Sequence, residues 1–334
     1  MHRTIMLASA AALALAVAAS AQTYPWKPDK PITVIVPWAA GGSTDQVVRI
    51  TAGELEKPLG QKIVVVNQPG ASGSIGTKNA LGAAPDGYTW TSGAAKDIGT
   101  YVVSGLLDTK VADWRLYLAV ANVSVLGVNA SSPYKTAADL VAAMKAKPGQ
   151  VSVATAGINS SGHSAVETFT KALNLTYKHV TYDGGNPAVN ATVAGETELT
   201  TQLAVEQAAM IRAGRIRPLA VLSDQPLTLE GFGTIPPITA SVSGYKPDAN
   251  FFGIFVPKSV PAPVLQTLDM AWDNVIKNSA ALKTYATKNG AQFAPSAGDA
   301  ALKAAMPAIQ AYAWLLHDGG KSKVAPDQVG IPRP

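Results

Sequence analysis

Apolar and polar positions along this chain switch repeatedly between two periods. Short apolar runs of β type lie over 32–36, 62–66, 88–92, 117–128, 150–155, 177–181, 198–203, 216–222 and 251–256. Between them, apolar residues recur at helical spacing over 44–56, 137–145, 164–173 and 205–213; in the first of these Val47, Val48, Thr51 and Leu55 form one stripe. Strands alternating with helices predict an α/β fold with mostly parallel sheets flanked by helices. Two runs read as crossings. One is 117–128, with Asn122 and Ser124 at its middle; the other is the "NFFGIFVP" of 250–257, which a new helix follows. Two crossing strands acting as a hinge give a discontinuous first lobe, 22–121 plus 253–334, and a second lobe over 122–252.

The first 21 residues change the picture of where the chain works. Arg3 precedes an apolar run over 5–19, and Ala19-Ser20-Ala21 offers small residues around a cut. This is the pattern of a secretory signal peptide over 1–21, cleaved after Ala21, and it is set aside from the fold. No later apolar run reaches the roughly 18 residues of a membrane helix, so the mature chain is expected to be soluble and to act as a monomer. It has no Cys, so packing alone must hold it, and at this length a single core tends to split in two. Without Arg3, 26 of the 27 Lys and Arg remain against 22 Asp and Glu, with no basic run. That excludes a nucleic-acid footprint and suits an anionic small molecule as readily as an ordinary surface.

Enzyme signatures are sparse. There is no thiol, and His163, His179 and His317 are too scattered for a metal pair. No G-x-S-x-G, H-E-x-x-H or G-x-x-x-x-G-K-[ST] occurs, and neither a metal nor a cofactor is expected. A hydrolase assembled from Ser43 or Ser160 with His163 stays open as an alternative.

"PWAAGGSTD" (37–45) ends the first strand and opens the first helix, and Ser43 with Gln46 reads as a capping box. Gly42, Ser43, Thr44 and Asp45 then surround free N–H groups at a positive helix end, which is an anion site by geometry or simply a capped turn. "VSVATAGINSSGHSAVETF" repeats the arrangement in the second lobe, with Ser164 and Glu167 as a second box and Ile158, Asn159, Ser160, Ser161 and His163 in the loop. If the lobes face each other, the two loops become opposed jaws for a carboxylate. Trp38 is placed to wall the pocket, Ala71 in "NQPGASGS" to complete its floor, Ser92 to reach it, and Tyr182 in "TYDGGNPAV" to close over the ligand. Lys96 is expected in solvent, Asp183 at the rim or as a cap, and His179 within a packed strand.

Together "YPWKPDKPITVIVPWAAGGSTDQVVR", "VVVNQPGASGSIG", "APDGYTW", "GINSSGHSAVETF", "YDGGNPAVNATVAGE" and "IRPLAVLS" resemble the extracytoplasmic, Bug-type receptors of tripartite tricarboxylate transporters. The resemblance spans the mature chain. It implies a two-lobed, type II-like periplasmic binding protein that closes on a small organic mono- or dicarboxylate, aromatic ones included, and hands it to a permease of one large and one small membrane subunit. It also implies that the carboxylate is gripped by the loops at 41–45 and 157–163. A signalling receptor of the same fold is the alternative. The chain departs from the family pattern at Trp38 (usually Phe), Ala40 (usually Pro), Asn190 (usually Asp) and Ala194-Gly195 (usually Gly-Gly), which leaves the far end of the ligand undefined.

Overall fold

A computed structural model describes residues 23–247 and 249–334; the expected signal peptide over 1–21 and its expected cut lie outside the described residues. The chain runs β1 (Ile32–Val36), α1 (Ser43–Leu59), β2 (Ile63–Asn67), α2 (Ser74–Leu81), β3 (Thr89–Ala94), α3 (Ala95–Ser104) and β4 (Trp114–Asn122). It continues through β5 (Val125–Asn129), α4 (Ala137–Ala146), β6 (Ser152–Thr155), α5 (Ser161–Ala172), β7 (Lys178–Thr181), α6 (Gly185–Ala194), β8 (Leu199–Thr200), α7 (Ala204–Arg212) and β9 (Ile216–Val221), then a small hairpin of β10 (Leu227–Leu229) and β11 (Gly233–Ile235). It ends with β12 (Asn250–Pro257), α8 (Ala262–Asn274), α9 (Ala280–Asn289), β13 (Gln292–Ala297) and α10 (Gly298–Asp318).

Two sheets form the two lobes. The first has the order β13-β4-β12-β3-β1-β2 and the second β7-β6-β8-β5-β9. The expectation of mostly parallel sheets is corrected, because both are mixed. In the first, β1 pairs parallel with β2 and β3, while β12 runs antiparallel to β3 and β4, and β13 antiparallel to β4. In the second, β6 is parallel to β7 and β8 but β5 is antiparallel to β8 and β9. The cause is the crossing itself. β4 leaves the first lobe and β12 returns to it, so side by side they must run in opposite directions. The run read as one strand over 117–128 is likewise two, β4 and β5, lying in different sheets.

Burial explains why these segments chose their elements. Ile32, Val34 and Val36 are wholly buried, since helices cover both faces of the first sheet. The α1 stripe of Val47, Val48, Ala52, Leu55 and Leu59 packs on that sheet with Trp90, Tyr117 and Trp272, each large apolar side chain contributing about 1.5–3 kcal/mol. Gly60, at φ 68°, ends α1 by donating to Glu56 O. A second cluster packs α3 and α10 on the other face, and the second lobe has its own around Leu126, Val153 and Phe169. At the crossing, β12 shifts register between Phe252 and Gly253. A Cβ at Gly253 would lie 1.9 Å from Tyr117 O, so this close approach admits only glycine. Nearby, buried Asn122 and Asn250 are register partners, and neither amide atom of Asn122 has a hydrogen-bond partner.

Candidate functional site

The strand-to-helix loops of the two lobes meet at one small, partly open cavity of about 20 Å³. Gly42, Ser43 and Thr44 line it from the first lobe and Ser160 and Ser161 from the second, with Trp38, Asp97, Phe252, Ala156, Gly185 and Glu206 completing its wall. The geometry of each helix start follows from its sequence, but neither capping box is the one the spacing suggested. α1 has Gly42 as its N-cap with no side-chain cap, because Ser43 is already helical and Gln46 Nε2 donates to Gly41 O at 2.6 Å. α5 is capped by Ser160, whose Oγ accepts from His163 N–H at 3.2 Å; Ser164 lies inside the first turn and donates to Ser161 O. Ser161 Oγ is buried and has no partner.

Several expected ligand residues serve elsewhere. Asp45 is the brace of the first loop, accepting from Gly41 N–H, Arg49 and Asn67. Burial works against its charge, yet these donors hold its pKa below the usual carboxylate range. Ser92 donates to Ile35 O within the sheet, since on β3 its hydroxyl faces the neighbouring strand. Asn159, at φ 71°, fastens the lobes by donating to Thr100 O and to Ser104 Oγ at 2.7 Å. His163 turns away from the cavity. Its Nδ1 takes the hydroxyl of Tyr312 at 2.7 Å, its ring stacks on His179 at 4.6 Å, and burial drives its pKa down to about 3. Nδ1 is thus committed to Tyr312, and Nε2 stands 3.7 Å from Glu167, so this imidazole is not poised as a base for Ser160 or Ser43. Ala71, Ile158 and Tyr182, together with Asp183, line a wider neighbouring cleft that shares Ala156 with the cavity, and Tyr182 OH donates to Glu196.

Lys96 is not in solvent. It is buried between the lobes, donating to Ser164 Oγ of α5 and, at 2.8 Å, to Asn250 Oδ1. His179, expected in a packed strand, is only half-buried and accepts or donates to Thr155 Oγ1 at 2.6 Å.

Sequence reasoning missed the two acids of the cavity. Glu206, in the first turn of α7, reaches across to α1: its Oε1 accepts from Ser43 N–H at 3.1 Å and its Oε2 from Leu203 N–H at 3.3 Å. Gln202, with its amide turned to donate, adds a bond to Oε2 at 2.9 Å. Asp97, in the first turn of α3, is buried with Oδ1 unpartnered. Burial pushes its carboxyl up to about 7 against the pull of Lys96, and burial raises Glu206 as well. An acid three residues into a helix reads as ordinary self-capping, so the sequence carries a signal for each helix start but none for the contact across the lobes.

Among the described residues no helix is long and apolar enough to cross a membrane, and no group of His, Cys, Asp or Glu could hold a metal ion. The family model for the tripartite tricarboxylate transporter family receptor matches residues 47–320. A UPF0065 protein from the tcbD-tcbE intergenic region of Pseudomonas sp. (strain P51) is 33% identical over 78% of each chain. The protein BugT of Bordetella pertussis is 30% identical, covering 82% of this chain and 84% of its own. Among solved structures, the periplasmic binding protein BugD superposes with a TM-score of 0.80 at 24% identity, over 88% of this chain and 99% of its own. R. palustris Rpa4515 with adipate gives 0.78 at 24%, over 88% and 98%. These two likenesses establish the two-lobed fold.

Proposed function

We propose that this chain, which belongs to the tripartite tricarboxylate transporter receptor family, is a periplasmic receptor that captures a small organic carboxylate between its lobes. It then delivers the ligand to an integral-membrane permease with large and small subunits. The lobes are taken as 22–121 plus 253–334 and 122–252, with β4 and β12 as the hinge. The observation that carries the reading is that two helix N-termini, one from each lobe, open on one cavity, and that the α5 start holds a buried hydroxyl, Ser161 Oγ, without a partner. N–H and O–H donors suffice for a carboxylate. Each bond to a charged group is worth about 1.5–3 kcal/mol and a helix end adds about 0.3–2. A few such contacts, less ordering costs, approach the roughly −8 kcal/mol of a micromolar complex.

Ligand-free protein screened by thermal shift against mono-, di- and aromatic carboxylates, adipate among them, tests this. A true ligand at about 100 times its dissociation constant adds about 2.7 kcal/mol of stability. A panel in which no carboxylate raises the melting temperature refutes the reading.

A further inference from the structure

The two jaws of the cavity are not in the same state. At the α5 start, Ser160 caps the helix and Ser161 Oγ is buried without a partner. At the α1 start, Gly42 offers no side-chain cap, and the Ser43 N–H is taken by the carboxylate of Glu206, 3.1 Å away on α7 of the other lobe. One helix end is thus open to a guest, and the other already holds a carboxylate of the protein's own.

The second lobe grips the rest of that first-lobe loop as well. Ala39 N–H donates to Asp183 O at 3.0 Å. An added Cβ on Gly184 would stand 2.9 Å from the Ala39 side chain, and one on Gly41 would stand 2.8 Å from Asn186 Nδ2. Glu206 and Gln202 fill the middle. The Gln202 amide, turned to donate, reaches Glu206 Oε2 at 2.9 Å, and a Cβ on Gly162 of α5 would stand 2.8 Å from the same amide. What remains is about 20 Å³, room for about one water. An organic acid reaches the Ser43 N–H only when Glu206 gives up its place.

Glu206 is placed to do so. Its other donors, Leu203 N–H and Gln202, belong to its own lobe, so parting the lobes breaks its bond to Ser43 and leaves the carboxylate anchored. Burial raises its pKa while the Ser43 and Leu203 groups pull it down, so these donors favour the charged form. A carboxylate facing the backbone N–H groups of a helix start has the same chemistry whether it comes from a side chain or from a solute.

We propose that Glu206 is an internal stand-in for the ligand carboxylate, an autoinhibitory plug that caps α1 when no ligand does and is displaced when a ligand takes the Ser43 N–H. This rests on the carboxylate reading above and adds to it a competitor carried by the chain itself.

Acetate, a bare carboxylate on one methyl group, tests this by rescue. Melting temperatures of the wild-type protein, Glu206→Ala and Glu206→Gln are compared at pH 7 as sodium acetate replaces sodium chloride at constant ionic strength. Glu206→Ala opens the α1 start, so its melting temperature should climb by about 2 °C once acetate reaches about ten times its dissociation constant. The wild-type protein and Glu206→Gln, whose amide fills the same place, should move by less than half as much. Equal responses in all three, or none in Glu206→Ala, overturn the inference. Glu206→Ser makes the same opening if the alanine variant does not fold. The thermal-shift panel on the wild-type protein judges the carboxylate reading separately. A panel that finds a binder, beside an alanine variant indifferent to acetate, overturns this inference alone. A panel with no binder removes the carboxylate reading and the displacement step with it.

Discussion

His163 offers a direct measure of how the lobes are fastened. Its ring is buried, takes the Tyr312 hydroxyl from the other lobe and lies face to face with His179. Burial, with His179 second, holds its pKa at about 3, against 6.5 in an unfolded chain. Between those values the unfolded chain binds a proton that the folded chain does not, so stability falls as the pH falls. The contribution of the neutral ring is complete above pH 6.5 and is lost progressively toward pH 3. At about 1.36 kcal/mol per unit, moving from pH 7 to pH 5 removes about 2 kcal/mol through this residue alone. Asp97 acts in the opposite sense: burial raises its folded pKa to about 7, so its share of stability grows as the pH falls from there, and Glu206, also raised by burial, works in the same direction. Glu167, held low despite its burial by Lys321 and Tyr177, loses its share only below its unfolded value of 4.5.

The wild-type curve therefore sums opposing slopes, and a difference measurement is needed. His163→Asn keeps an acceptor oxygen for Tyr312 and does not titrate. Urea unfolding of both proteins at pH 5, 6 and 7, followed by circular dichroism, should show the wild-type advantage shrinking by about 2 kcal/mol between pH 7 and pH 5. A difference constant to within about 0.5 kcal/mol across that range would refute the assignment of His163 as a neutral, buried link between lobes.

Other outcomes follow from the cavity. Ser161→Ala and Thr44→Ala should each weaken ligand binding by about 1–3 kcal/mol with little change in melting temperature; calorimetry showing unchanged affinity in both breaks the two-jaw arrangement. Trp38 lines the cavity and packs against Gly73, so its fluorescence should respond to ligand, and Trp38→Ala should abolish that response and cost about 3–5 kcal/mol of stability. In Gly185→Ala, a change inside the second lobe, the new methyl meets Glu206 at 2.1 Å and should push its carboxyl off Ser43 N–H of the first lobe, which a lowered melting temperature would register. A melting temperature equal to wild type would show that Glu206 yields freely.

Most of the architecture was legible because it rests on local pattern. The Ile32–Val36 run, the α1 stripe and the two loop-to-helix repeats announce their elements directly, since burial period and backbone geometry are short-range properties. The pairing direction of the crossing strands was not, because it depends on which way β12 returns beside β4. The site divided along the same line. Ser160, Ser161, Ser43 and Thr44, singled out by helix-start chemistry, line the cavity. Asp45 and Ser92 were misplaced because a polar side chain in a loop or strand can turn inward onto a backbone partner as easily as toward a ligand. Glu206 escaped because its second partner is 163 residues away, a contact only the folded lobes create.

The buried amide of Asn122 has a thermodynamic meaning beyond its place at the crossing. With both its atoms unpartnered between the lobes, it joins Ser161 Oγ and Asp97 Oδ1 as groups that water would satisfy in an opened molecule. Each unsatisfied group costs about 1–3 kcal/mol. Parting the lobes would expose such groups to water, so burying them at the crossing works against the joined arrangement. A hydrogen-bonding occupant that reaches Ser161 would act the other way, so the balance between parted and joined lobes is the quantity a ligand would shift.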